Sequence, residues 1–448
     1  MDPQRLLDGL DADQRNAVTT TAMPLAIIAA AGSGKTTVLI RRIAHRILTG
    51  DAEPKHTLAL TFTRDAAGEL KRRLRRLDLR DPIEAGTFHS VALRLLRDRA
   101  LTRHETMPQI ATDRIRLMRE CMTELRLDVP PFQALADVDW ARARLVDAAD
   151  YEAACRRERR RSTVPVSKLT DVAAAYERLK KRRGVIDFDD LLERTLGAMR
   201  SDPVFAEAVG WRFRHFYVDE AQDLNPLQHA LLESWRNGRP DICLVGDPRQ
   251  AIYGWNGADH TTLAEVEVRY PGVTVLTLTT NYRCTPQVVR AGAAALAAGG
   301  LDDDTRSDRP DGLAIAVREF ATDADEALGV ARQVRSVLNH RAGSDIAVLA
   351  RTNDQLTELQ RALAAAGVPT ERAVGRSALE VTLTEAYRAG GREQLATWVD
   401  SMFEDTDPLR RRVAEEVDRY LTSGEHGGFR TWVESHSPFD DLAVPSRD

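Results

Sequence analysis

Lys35 and Thr36 sit in the stretch AAAGSGKTT, Ala29–Thr37, with an apolar run before it and a helical pattern after it. A loop of this kind cradles phosphate. The backbone N–H groups of Ala31, Gly32, Ser33, Gly34, Lys35 and Thr36 would wrap the anion, and Gly32 and Gly34 allow close approach and unusual dihedrals. Lys35 would reach the β- and γ-phosphates, and the Thr36 hydroxyl would bind Mg²⁺. The helix that follows, Thr37 included, adds its positive N-terminal end. Strand, loop, Lys-Thr and helix in this order speak against a plain Gly/Ser turn. A complement lies downstream in FYVDEAQD, Phe216–Asp223. There an apolar strand ends in Asp219, placed to hold Mg²⁺ through its hydration shell, and Glu220, placed to polarise an attacking water. Alone, this would read as a solvated acidic strand end; beside the phosphate loop it reads as the metal and water partner.

These residues need a sheet to hold them, and the chain is long enough to build one. Its 448 residues allow two to four domains with sizeable cores. A net charge of −5 announces no global basic field, although a local basic groove stays compatible with it. Cys121, Cys155, Cys243 and Cys284 are scattered without a C-x-x-C pair. That argues against a zinc ribbon, an iron–sulfur cluster or a disulfide framework, and fits a reducing cytoplasm. The opening MDPQRLLDGL lacks the charge and apolar pattern of a signal peptide. No apolar run approaches the ~18 residues of a membrane span.

Short apolar runs at Leu25–Ala29, Thr57–Phe62, Phe216–Val218, Ile242–Val245 and Val273–Leu278 alternate with helical periodicity. This predicts an α/β fold, a parallel sheet covered on both faces. Leu95–Leu191, rich in Arg, Ala, Leu and Glu, reads as an all-helical insertion. A second α/β pattern follows the turn-like Leu301–Gly312. It comprises strands at Leu313–Phe320 and Ile346–Ala350, helices at Asp325–Asn339 and Asp354–Ala366, and a possible strand at Val368–Val374. From Arg376 onward the chain reads as helical and polar.

Taken in order over roughly residues 9–375, the motifs resemble the UvrD/Rep/PcrA family of superfamily 1 DNA helicases. LDADQRNAV resembles the adenine-reading Q motif, and AAAGSGKTT resembles motif I with Ala30 in place of its usual Gly. ALTFTRDAAGEL and AGTFHSVALRLL resemble motifs Ia and Ib. DFDDLL, Asp187–Leu192, matches the family signature at the return from the helical insertion. VDEAQDLNPLQ, LVGDPRQAIYGWNGA and LTTNYRC resemble motifs II, III and IV, and IAVLARTNDQLTELQRAL resembles the entry to a second motor domain.

The resemblance implies a P-loop, RecA-like ATPase domain over 1–95 and 190–285, a helical insertion over 96–189 and a partial second RecA-like domain over 286–375. A small helical segment, 376–448, would take the place of the 2B insertion. It implies ATP and Mg²⁺ as cofactors and a 3′→5′ single-stranded DNA translocase in repair or replication restart. Gln14 would pair with the adenine edge, Tyr282 would stack on the base, and Gln250 and Arg283 would touch the γ-phosphate. Phe62, Tyr253 and Trp255 would face single-stranded DNA, where an aromatic ring stacks on any base. Trp255 could instead be a core aromatic, and Tyr253 could simply pack its motif. Thr63, Arg64, Thr87 and His89 would contact the DNA backbone or its linkers, though His89 equally fits a structural histidine. The basic runs Lys71–Arg76, Arg156–Arg161 and Lys180–Arg183 fit phosphate contacts or solvated helix faces.

The family's T-x-H-x-x-K-G and arginine-finger motifs are not recognisable in these residues. The expectation is therefore an incomplete motor, bound to single-stranded DNA and its junctions with duplex, together with a companion polypeptide or downstream segment carrying those motifs. The alternative is a nucleotide-gated DNA-binding or partner subunit without unwinding activity.

Overall fold

The computed structural model describes residues 3–77, 81–111, 113–147, 150–259, 261–341, 345–370, 378–402, 408–423 and 428–436. Its strands are β1 (Leu25–Ala29), β2 (Thr57–Thr61), β3 (Glu84–Thr87), β4 (Gln109–Ile110), β5 (Val185–Ile186), β6 (His215–Val218), β7 (Ile242–Gly246), β8 (Thr274–Leu278), β9 (Thr280–Asn281) and β10 (Arg306–Ser307). Six of them form one parallel sheet in the order β3-β2-β6-β7-β1-β8. β2 and β7 are buried along their whole length, as central strands covered on both faces must be. The edge strand β3, Glu-Ala-Gly-Thr, carries no apolar run and was not expected; its pairing with β2 makes it a strand.

Successive residues of each strand face opposite sides, and two separate cores result. Leu58, Leu60, Phe216, Val218 and Leu244 pack on one face with Phe88, Leu231 and Trp235. Leu25, Ile27, Ala59, Tyr217, Cys243 and Val245 pack on the other with Val38, Leu39 and Ile43 of the helix Lys35–Thr49. Each fully buried aliphatic chain contributes about 1.5–3 kcal/mol. The sheet is therefore a rigid platform, and its carboxyl edge carries the loops that begin at Ala30, Phe62, Asp219 and Asp247.

The helical insertion has its own core, built on Met118, Cys121, Trp140, Tyr151, Val172 and Tyr176. A buried ion cluster ties it to the sheet layer. Asp187 is fully buried and caps the helix Phe188–Ser201. Its carboxylate receives Arg114 (3.2 Å), Arg142 (3.0 Å) and Lys180 (3.2 Å), one from each of three insertion helices. Lys180 and Arg142 also hold Asp190 at 2.7 and 2.6 Å. These three cations hold Asp187 well below the usual carboxylate range despite its burial. Removing one partner from such a cluster strands a buried charge, at a cost of about 3–5 kcal/mol. Lys180, read from sequence as a possible phosphate contact, is thus an interior anchor.

The chain divides into two compact units, Met1–Ala314 and Ile315–Asp448. In the second, the helices Asp323–His340 and Asn353–Ala365 meet through Ala331, Val334 and Leu363, joined by Val368 just beyond the second helix. Four further helices, Ala378–Ala389, Arg392–Met402, Pro408–Thr422 and Phe429–His436, share a core of Val413, Val417, Tyr420, Phe429 and Trp432. The helices match the sequence reading. The strands expected at Leu313–Phe320 and Ile346–Ala350 do not form, and residues 368–370 are not strand either. The remainder of Val368–Val374 lies outside the described residues. A helix closes its hydrogen bonds locally, whereas a strand needs a neighbour to complete its ladder.

Candidate active site

The phosphate loop leaves β1 at Ala29. Ala30 is buried and has an ordinary backbone, so alanine is accommodated where the motif more often has glycine. Gly32 and Gly34 adopt φ of +71° and +79°, which side chains rarely tolerate. At Gly32 a Cβ would also lie 2.8 Å from the Asn281 amide oxygen and 2.9 Å from Arg283 Cβ. The loop is held from outside itself. Asn281 Nδ2 donates to the Ala31 carbonyl at 2.7 Å, the Tyr282 N–H donates to Gly32 at 2.9 Å, and Gln14 Nε2 donates to Ser33 at 2.9 Å. Ser33 turns inward and bonds the Ala30 carbonyl at 2.7 Å.

Lys35 and Thr36 open the helix, and each meets one carboxylate from the end of β6. Lys35 Nζ lies 3.3 Å from Glu220, and the Thr36 hydroxyl donates to Asp219 at 3.2 Å. Glu220 sits in the left-handed region at φ +52°, a strained backbone for this residue type, of the kind that concentrates at functional turns. Burial and the neighbouring Glu220 raise Asp219 to about 6, against the pull of Lys35 and Thr36. Burial and Glu220 raise Asp223 to about 6 as well. The Asp219 carboxylate beside the Thr36 hydroxyl is a hard-oxygen donor set, and it fits Mg²⁺ held partly through water. Thr37 is half-buried one position further on, and Ala31 is exposed at the loop tip.

Three residues not singled out from the sequence complete the site. Gln222 Nε2 donates to Glu220 at 2.8 Å, while its amide oxygen accepts the Asp247 N–H at 3.0 Å, so one side chain links the ends of β6 and β7. Asp247 accepts Gln250 Nε2 at 2.8 Å and Arg249 Nε at 3.0 Å. The Asn281 amide oxygen accepts the N–H groups of Arg283 and Cys284, fixing the turn that carries Arg283. Each lies inside a recognisable motif, and that position was the available signal.

Gln14 is buried, and its amide is occupied within the protein, by Ser33 and by the Asp11 N–H in a capping box. Tyr282 bonds the Asp11 carboxylate through its hydroxyl, clasping the start of the chain to the loop after β8. Burial and this carboxylate raise the phenol to about 12. Arg283 is exposed beside Gly32.

The residues expected to face DNA fall into two groups. Phe62, Tyr253 and Trp255 form a ring series, with centroids 4.9 Å apart for the first pair and 6.3 Å for the second. Trp255 is 69% exposed, which excludes the core-aromatic alternative. Thr63 and Arg64 are exposed beside Phe62, where Thr63 caps the helix Arg64–Arg75. Thr87 lies at the end of β3, paired with Thr61, and its hydroxyl is engaged in a capping box with Ser90. His89 stands edge-on to the partly exposed Phe188, with Asp189 at 3.8 Å.

A phosphate loop and an acidic strand end, at the carboxyl edge of a parallel sheet covered by helices, define a RecA-like P-loop nucleotide-binding protein. Residues 10–271 match the UvrD/REP helicase N-terminal domain, and residues 276–377 match the UvrD-like helicase C-terminal domain. The chain belongs to the UvrD/Rep helicase family. It is 34% identical over 385 residues to ATP-dependent DNA helicase UvrD2 of Mycobacterium tuberculosis (strain ATCC 25618 / H37Rv), covering 81% of this chain and 55% of that protein. It is 32% identical over 384 residues to ATP-dependent DNA helicase PcrA of Leuconostoc citreum, covering 82% and 50%. For PcrA of Staphylococcus aureus (strain NCTC 8325 / PS 47) the identity is 31% over 379 residues, covering 81% and 50%. The chain spans about half the length of these curated relatives. Among the described residues no helix is long and apolar enough to cross a membrane.

Proposed function

We propose that this chain is the nucleotide-binding and single-strand-gripping part of an ATP-dependent DNA helicase that translocates 3′→5′ in repair or replication restart. The observation that carries this reading is the junction of the two sites through Gln222 and the β7 loop. The glutamine bonds Glu220, which pairs with Lys35 of the phosphate loop, and also the backbone of Asp247, whose loop leads within eight residues to Trp255. Lys35 would neutralise phosphate charge and Thr36 with Asp219 would hold Mg²⁺, which supplies Lewis-acid stabilisation when bound. Glu220 would take the proton of the attacking water. Gln250 would sense the γ-phosphate from the loop that leads to the stacking rings, with Arg283 approaching from the turn after β8. Phe62, Tyr253 and Trp255 would hold bases without reading their sequence.

Unwinding by such a motor needs a second ATPase domain with a complete sheet. Leu313, Val317 and Leu349 are 79%, 86% and 90% exposed, and these apolar residues favour a further segment, in cis or as a companion polypeptide, that supplies strand neighbours. The test is ATP turnover by the 448-residue chain, with and without oligo-dT. Wild type should bind MgATP with weak stimulation by DNA and no strand separation, and Lys35→Ala should lose MgATP binding or turnover. DNA stimulation and unwinding should appear when the further segment is added. Turnover that is unchanged in Lys35→Ala would overturn the nucleotide site; unwinding of a 3′-tailed duplex by this chain alone would overturn the need for a partner segment.

A further inference from the structure

Within the basic run Arg156–Arg161, one member behaves unlike its neighbours. The side chains of Arg156 and Arg157 are 72% and 67% exposed, whereas that of Arg160 is 18% exposed. Its guanidinium donates to Asp137 at 2.9 Å, to the Ala136 carbonyl at 3.3 Å and to the Trp255 carbonyl at 3.4 Å. It also stands 5.0 Å from the Trp140 ring centroid. Asp137 is itself fixed, since it is buried and accepts the N–H groups of Thr163 and Val164. A second arginine uses the same indole: Arg144, 5.7 Å from that centroid, donates to the Ala258 carbonyl at 3.1 Å. Between the two held carbonyls lies Gly257, at φ +91°, where a Cβ would come within 2.7 Å of Ala143 Cβ.

The helical insertion therefore holds the loop of Tyr253 and Trp255 by two backbone carbonyls, and lies too close to Gly257 between them to admit a side chain there. The side chains of Ile252 and Trp255 stay outward, 70% and 69% exposed. A short glycine-containing loop left to itself would spread its aromatic ring over many orientations, and ordering it on binding would cost conformational entropy. Holding the backbone beforehand removes much of that cost while leaving the ring free to meet a base.

The geometry points to Arg160, supported by Arg144 and Gly257, as a positioning residue for the Trp255 stacking platform: it orients the ring through its backbone carbonyl and does not touch the nucleic acid. This rests on the reading of Trp255 as a DNA-stacking residue. A shift of the helix Pro131–Ala143 would then move the platform with it, because Ala143 and Arg144 are part of the grip.

The experiment measures binding of the full 448-residue chain to oligo-dT, and to an abasic deoxyribose-phosphate strand of equal length, over a range of salt. Arg160→Gln should weaken oligo-dT binding roughly 3- to 10-fold, a part of what losing a whole stacking platform costs. It should leave the salt slope and the abasic strand unaffected, and add nothing in a Trp255→Ala background. Arg160→Lys should lose as much as Arg160→Gln, because an ammonium cannot span a carboxylate and two carbonyls as a planar guanidinium does. A phosphate contact would behave differently. Lysine would largely preserve it, and its removal would flatten the salt slope by about one and weaken the abasic strand equally. That pattern, or additive losses with Trp255→Ala, overturns the inference. The cycle holds even where Arg160→Gln lowers stability, since both backgrounds carry that loss. Trp255→Ala that weakens oligo-dT while Arg160→Gln does not overturns the inference alone; unchanged binding by Trp255→Ala overturns the stacking reading and the inference with it.

Discussion

Leu25–Ala29 and Leu313–Phe320 both begin Leu-Ala-Ile. In the first, Leu25 and Ile27 are fully buried, with β7 in register on one side and β8 on the other. In the second, Leu313 and Ile315 are 79% and 49% exposed, and the segment carries no strand. The same three residues thus form a strand paired on both sides where neighbours exist, and remain open where none is present among the described residues. Strand propensity of this kind measures fit to a half-buried pleated surface, and that surface is supplied by the rest of the sheet. The nearby helices do not share the difficulty. Asn353–Ala365 begins at a capping box between Thr352 and Gln355 and closes its own hydrogen bonds.

The largest expected difference between the two runs is in amide hydrogen exchange. Ile27 and Ile28 should open only with the whole sheet and exchange roughly 10³-fold or more slowly than unstructured amides, whereas residues 313–317 should exchange near the unstructured rate. Exchange mass spectrometry with overlapping peptides checks this. Equal protection of the two runs would break the comparison. Protection that appears at 313–320 only when a further polypeptide is added would sharpen it, by identifying what the open run lacks.

Most of the first unit was legible in the residues themselves. β1 and the other apolar strands lie within about a residue of their sequence positions, because a near-continuous apolar run in a covered parallel sheet has few other uses. That the phosphate loop and the acidic end of β6 belong together was legible because their chemistry demands those residue types; the Lys35–Glu220 contact itself was not. Asn281 was legible only as a member of its motif: its hydrogen bond reaches Ala31 across 250 positions, and the motif does not say which partner the amide takes. Lys180 misled for a related reason. KKRR reads as a phosphate-contacting or solvated run, yet one of its four cations finds two buried carboxylates, Asp187 and Asp190, only after the insertion has folded.

The second expected effect lies within the well-packed unit. Glu220→Gln keeps the shape and hydrogen-bonding reach of the side chain but removes its capacity to accept a proton. ATP hydrolysis should fall by about 10²–10⁴-fold, the range typical of a lost general base, while nucleotide binding persists because Asp219 and Thr36 remain. Phosphate release, measured beside fluorescent-nucleotide binding, separates the two. Normal turnover in this variant would remove Glu220 from catalysis and leave its strained backbone without a functional account.

The smallest effect concerns what the sheet unit must bury in order to be rigid. His229 lies inside it, with Nε2 2.9 Å from the Thr262 hydroxyl and Nδ1 buried without a hydrogen-bond partner. Burial, reinforced by Arg269, lowers its pKa to about 3. The unfolded chain protonates this histidine near 6.5 and the folded protein does not, so the unfolded state binds more protons throughout that window. Stability contributed by a neutral His229 is therefore present above about 6.5 and is lost as pH falls, by up to ~1.4 kcal/mol per pH unit. Asp219 and Asp223, both raised to about 6, act in the opposite sense between about 4 and 6, because there the folded state binds the extra protons. A wild-type pH profile alone would mix the two. His229→Gln isolates the histidine, since both proteins keep the carboxylates. Urea unfolding at pH 7 and pH 5 should show the stability gap between wild type and variant shifting by about 2 kcal/mol in the variant's favour at the lower pH. A gap that does not move with pH would mean that the folded protein protonates His229 as readily as the unfolded chain does, and that this buried ring is no part of what makes the sheet unit acid-sensitive.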